Sequence, residues 1–130
     1  MKYVIDSYAW LEYFMGTKSG ERVKSVIDST EDENFTPSIC VAEVYAKALK
    51  VEDEGMAESR RTFMRTSSAI VPLNESIAVQ AAKIDVALKK TVDGWGLADS
   101  IVLATARSKG CKVLTGDKHF DGLDDVVLIE

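Results

Sequence analysis

The sequence predicts an α/β domain built on a parallel sheet with helices packed on both faces. Short apolar runs rich in β-branched residues alternate with longer segments of helical periodicity. The runs are continuously apolar instead of alternating, as expected of strands buried on both faces. With 130 residues, 46% of them hydrophobic, the chain has material for one core without disulfide or metal staples. One domain over residues 1–130 is therefore expected.

Taken in order, residues 3–5 form the first strand candidate. Residues 7–15 (SYAWLEYFM) form a short apolar helix, and residues 18–29 place Val23, Val26 and Ile27 on one helical face. A short second strand over 34–36 ends at Pro37. Ser38 is a good N-cap for a helix over 38–54, with Gly55 as its stop. An arginine-rich amphipathic helix spans 57–67, and a third strand spans 69–71 before Pro72. Residues 75–90 carry Ile77, Ala81, Ile84 and Leu88 at spacings of three and four. Residues 97–108 are apolar on most sides, and Gly110 follows as a stop. Two β-branched runs, 112–115 and 126–129, complete the set. No repeat, low-complexity tract or Pro/Gly/Ser-rich linker interrupts the pattern.

Composition narrows the function classes. No apolar run approaches the roughly 20 residues of a membrane-spanning helix. The opening MKYVIDSYAW lacks the long apolar stretch of a secretory signal. The expectation is a soluble cytoplasmic protein. Cys40 and Cys111 lie among apolar residues and form no Cys-x-x-Cys pair, so they read as buried thiols. The net charge of -5 argues against a general nucleic-acid binder. A cluster of carboxylates holding divalent cations would reverse that charge locally.

The carboxylates carry the chemistry. Asp6 follows the first strand, and Asp117 follows the fourth within TGDKHF. In doubly wound sheets, function collects beyond the carboxyl ends of the strands. Each aspartate also suits a turn. Glu43 interrupts the apolar helix ICVAEVYAKAL, where a lone charge is costly without a partner or a metal, although Lys47 offers an i,i+4 pair. Asp99, in GLADSIVLATA, crowns the buried stripe of Val102 and Leu103, and it also suits a helix first turn. Two unit charges 4 Å apart repel by about 4 kcal/mol at an effective dielectric near 20. A converging set of this kind persists by sharing protons or by binding a dication. Oxygen ligands without His or Cys select Mg²⁺ or Mn²⁺.

These segments resemble the PIN-domain nucleases, in particular the VapC-type toxins of toxin–antitoxin pairs. The matching stretches are YVIDSYAWLEYF, TPSICVAEVYAKAL, GLADSIVLATARSKG and CKVLTGDKHFDGLDDVVLI. The resemblance implies a three-layer α/β/α fold with a five-stranded parallel sheet ordered 3-2-1-4-5. It places the four family acids on Asp6, Glu43, Asp99 and Asp117, with Ser7 and Thr115 as the accompanying hydroxyls. It implies Mg²⁺- or Mn²⁺-dependent hydrolysis of RNA, with Asp6 and Asp99 as direct metal ligands. It further implies a homodimer and a cognate antitoxin. The segment between Asp117 and the last strand is short for a helical crossover. It also holds Asp121, a rival to Asp117 for the fourth position.

Other residues read more plainly. His119 is expected in an exposed loop, with Phe120 as its anchor. Arg60, Arg61 and Arg65, with Lys47 and Lys50, are expected on solvated helix faces that are also able to meet an RNA backbone. Tyr8, Trp10, Tyr13, Phe14 and Trp95 read as core or interface residues. The alternative function is a catalytically idle PIN-like module that binds a partner protein.

Overall fold

The computed structural model describes residues 1–130. The chain runs β1 Lys2–Ile5, α1 Ser7–Met15, α2 Lys18–Asp28, β2 Glu33–Pro37, α3 Ser38–Val51, α4 Glu54–Ser67, β3 Ala69–Val71, α5 Glu75–Leu88, α6 Leu97–Lys109, β4 Lys112–Thr115 and β5 Val126–Leu128, with a 3₁₀ turn at Lys118–Phe120. The five strands form one sheet in the order β3-β2-β1-β4-β5, every pair parallel. This is the predicted α/β architecture.

Adjacent residues in the central strands serve opposite faces. Val4 and Val113 point into a core shared with α5 and α6, through Ile77, Ala81, Ile84, Val102 and Leu103. Ile5 and Leu114 point into a second core, formed with Trp10 of α1, Val23 of α2, Val44 of α3 and Met64 of α4. The pleat thus converts continuous apolarity into two cores, one on each side. α3 bridges them, giving Cys40 to the first and Val44 to the second.

The helix boundaries depart most from expectation around α3. α3 stops at Val51, and Gly55 lies within the first turn of α4. The switch is made by Asp53, whose carboxylate accepts the Met56 N–H at 2.8 Å. A side-chain cap that satisfies an orphan N–H outweighs the weak stop signal of a glycine. Ser38 is the first residue of α3 and not its cap; Pro37 holds that position and offers no side-chain acceptor. The Ser38 hydroxyl instead accepts the Leu73 N–H at 3.2 Å, tying α3 to the segment after β3. The last strand is one residue shorter than read, although Ile129 still donates its N–H to the Thr115 carbonyl.

The topology fixes where a site can form. From β1 the chain moves to β2 and β3 on one side, and β4 returns on the other. The reversal leaves a crevice beyond the carboxyl ends of β1 and β4, the usual ligand position in such sheets.

Candidate active site

Asp6 stands at the centre of that crevice. Its backbone N–H extends the sheet by donating to the Leu114 carbonyl at 3.1 Å, and its carboxylate opens α1 by accepting the Ser7 N–H at 2.8 Å. Its other oxygen accepts the Thr115 hydroxyl at 2.7 Å. Thr115 in turn accepts the Asp117 N–H at 3.0 Å, so one hydroxyl links the first and fourth acids of the predicted set. Both hydroxyl residues singled out from the sequence, Ser7 and Thr115, therefore touch Asp6. The Cys40 thiol also points at Asp6 Oδ1, at 3.8 Å. Cys40 reads in the sequence only as an apolar thiol, and its place beside the acid comes from the start of α3 directly after β2, the neighbour of β1.

The other acids arrive from helices and a turn. Glu43 lies in α3, and Asp99 lies in the first turn of α6, where its carboxylate accepts the Gly96 N–H at 3.0 Å. Asp117 opens the 3₁₀ turn by accepting the His119 N–H at 2.9 Å. Asp6, Glu43, Asp99 and Asp117, with Ser7, Tyr8, Leu11, Ala98 and Val102, line one crevice of about 160 Å³. No lysine or arginine lines it. Asp121 is exposed and lies against a different surface hollow with Phe120 and Leu123, outside this crevice.

Burial and mutual repulsion push the acids upward. Burial raises the Asp6 carboxyl to about 6, against the opposing hydrogen bonds from Thr115 and Ser7, and Glu43 and Asp99 add repulsion. Partial desolvation raises Glu43, and the same effect raises Asp99, with Asp117 adding repulsion. Acids that resist ionisation in this way, in a crevice lined by no lysine or arginine, would be relieved by a bound cation. The ligand atoms fall into two groups, Asp6 with Cys40 and Glu43, and Asp99 with Asp117 and His119, each within 4.8 Å. Each group pairs two carboxylates, which fit a small dication, with one softer donor, Cys40 or His119, where the sequence reading expected oxygen alone.

His119 departs from the reading of a plain exposed loop residue. Its Nδ1 is 3.6 Å from Asp99 Oδ2 and 3.4 Å from Asp117 Oδ1. That nitrogen is buried and makes no hydrogen bond, while the side chain as a whole stays 41% exposed. The ring rests on Gly94, where a Cβ would come within 2.9 Å of Nε2, and Gly94 also has a φ of +76° that favours glycine. Only the fold brings residue 94 to residue 119, so no local sequence signal marks this contact.

The aromatic residues divide as their positions require. Trp10 and Trp95 are core, and their indole N–H groups donate to Thr36 and Ser100. Tyr13 and Phe14 are half-buried and stack in one cluster with Trp10 and Phe63. Tyr8 alone stands at the crevice mouth.

The family model of the PIN domain matches residues 3–126. The chain belongs to the PIN-domain family. Among solved structures, this PIN domain is similar to a chain of a toxin–antitoxin complex from Klebsiella pneumoniae, with a TM-score of 0.81, 21% identity and 98% of each chain covered. It is similar to a chain of VapBC-1 from nontypeable Haemophilus influenzae, with a TM-score of 0.75, 21% identity and coverage of 99% of this chain and 98% of that one. It also resembles VapC20 of Mycobacterium tuberculosis, described as a toxin that cleaves the sarcin-ricin loop, with a TM-score of 0.76, 14% identity and 97% of each chain covered. At these identities the likeness establishes the fold. No curated protein sequence matches the chain. No helix is long and apolar enough to cross a membrane.

Proposed function

We propose that this PIN domain is an Mg²⁺- or Mn²⁺-dependent ribonuclease and the toxin of a VapBC-type pair. The observation that carries the reading is the meeting of four carboxylates in a crevice lined by no lysine or arginine. Family membership supports nuclease chemistry, and the similar toxin–antitoxin structures support the partner.

Asp6 and Asp99 would hold the dication, with Glu43 and Asp117 completing its surroundings. When bound, such an ion supplies charge neutralisation for the phosphate and acidifies a water molecule. The residues of the chain do the rest. Thr115 and Ser7 orient the Asp6 carboxylate through its hydrogen bonds. Glu43 stands at the exposed side of the crevice, where its carboxylate is placed to accept a proton from an attacking water. Its upward shift brings it closer to a useful base strength.

The test is cleavage of a mixed-sequence RNA pool with each metal. Wild-type protein should cut with Mg²⁺ or Mn²⁺, and EDTA should stop the reaction. Asp6→Asn should lose activity by at least about 10²-fold while keeping the wild-type circular dichroism spectrum. Absence of cleavage by wild type with either metal removes the nuclease reading.

A further inference from the structure

The crevice explains how the phosphate at the reacting centre is tolerated, but it offers a polyanion no cationic grip. Three hollows outside it carry cationic side chains. Arg107 is the single cation lining one hollow, and Lys24 is the single cation lining another, where Glu21 stands beside it. A third hollow, of about 300 Å³, is different: Ser38, Val41, Arg61, Arg65 and Ile70 line it, with two guanidinium groups on one side.

Its position matters as much as its charge. Ser38 is the first residue of α3, directly after β2, so the hollow opens at the same edge of the sheet as the acid crevice. Val41 faces the hollow and Glu43 faces the crevice. Residues two apart lie on opposite sides of a helix, so the two cavities flank the beginning of α3. Ser38 and Glu43 are five residues apart, about 7.5 Å along the helix axis. A strand running past both cavities would therefore cross from one to the other within a few nucleotides.

The arginines are free to engage. Arg65 has no carboxylate within ion-pair distance. Arg61 pairs with Glu58 at 2.9 Å, with both side chains nearly half exposed, a surface pair of little net worth that a phosphate can displace. The first turn of α3 has no side-chain cap, leaving its N–H groups without a side-chain acceptor at this end of the hollow.

We propose that the hollow between the start of α3 and the second half of α4 is a backbone subsite. Arg61 and Arg65 there hold an RNA phosphate a few nucleotides from the bond placed in the acid crevice. This rests on the ribonuclease reading for its substrate, and it names a part of the protein that the acid cluster does not include.

The probe is a fluorescein-labelled single-stranded RNA pool, bound to the Asp6→Asn protein in Mg²⁺ and followed by anisotropy across a salt series. In that background, Arg61→Gln/Arg65→Gln should weaken binding roughly tenfold and reduce the slope of log K against log salt by about 0.7, the value for one lost phosphate contact on a single strand. Arg61→Lys/Arg65→Lys should keep most of the slope. Lys24→Gln, on the distant α2, should change it far less. In the active protein, the glutamine pair should raise KM and leave kcat within about twofold. Wild-type cleavage with an unchanged KM and salt slope in the glutamine pair overturns the subsite and leaves the nuclease standing. Weakened RNA binding in a wild type that never cleaves keeps the subsite and removes the nuclease. If the glutamine pair loses binding to a co-purified antitoxin but binds RNA as before, the hollow belongs to the protein partner and the proposal fails.

Discussion

At the scale of residues, Asp6 concentrates the conflict between folding and function. It is 5% exposed, and it is held by Thr115 and Ser7 in a place that suits a carboxylate only when a cation is near. Its folded value of about 6 lies above the ordinary aspartate value of 3.8, so the folded state prefers the protonated form. The corresponding stabilisation is present below about pH 4 and is lost as pH rises through about 6, a difference of roughly 3 kcal/mol. Glu43 and Asp99 shift in the same direction and add to the same trend. In EDTA, Asp6→Asn should therefore match wild type near pH 4 and exceed it in urea stability by up to about 3 kcal/mol at pH 7. Mn²⁺ at pH 7 should raise the midpoint of wild type and leave that of Asp6→Asn nearly unchanged. A variant no more stable than wild type at pH 7 would mean that Asp6 is not strained by its burial.

Elements position these residues through a few close contacts. α2 approaches α1 at Gly20, where a Cβ would lie 2.3 Å from the Glu12 carbonyl oxygen, a backbone atom with no freedom to turn aside. Gly20→Ala must therefore push α2 away from α1, and an equilibrium urea titration should show a loss of about 1–3 kcal/mol. The junction between α3 and α4 depends on Asp53. Asp53→Ala should cost about 1 kcal/mol in the same assay by removing the acceptor of the Met56 N–H. Because α4 carries Arg61 and Arg65, this variant should also weaken RNA binding slightly without touching the acids. Neither substitution should alter the metal response at Asp6, which is held by β1 and β4.

For the whole molecule, two cores on opposite faces of one parallel sheet leave the β1–β4 edge as the place where four separate segments meet. The ribonuclease and toxin reading proposed above requires a restraining partner, and it makes a prediction at the scale of the cell. Induced expression of the chain alone should slow growth of a bacterial host. Co-expression with the protein encoded beside it should restore growth, and Asp6→Asn should be harmless throughout. Growth measured by optical density after induction decides this, and unimpaired growth with active wild-type protein would separate the nuclease from the toxin role.

The strands, the helices and the two-sided burial were readable from the sequence, because hydrophobic periodicity records which face of an element meets a core. The four acids were readable too, since Glu43 and Asp99 interrupt apolar helices and Asp6 and Asp117 follow strands. Local signals misplaced the α3–α4 junction, where Asp53 competed with Gly55 within a few residues. Tertiary structure alone decided that Asp117 lines the crevice while Asp121 faces away, that His119 turns its Nδ1 toward Asp99 and Asp117, and that Cys40 reaches Asp6. The physical reason is the same in each case. Periodicity and capping act over a few residues and are written locally. The direction of a side chain at the end of a strand depends on what other segments pack there, and that information is distributed over the whole chain.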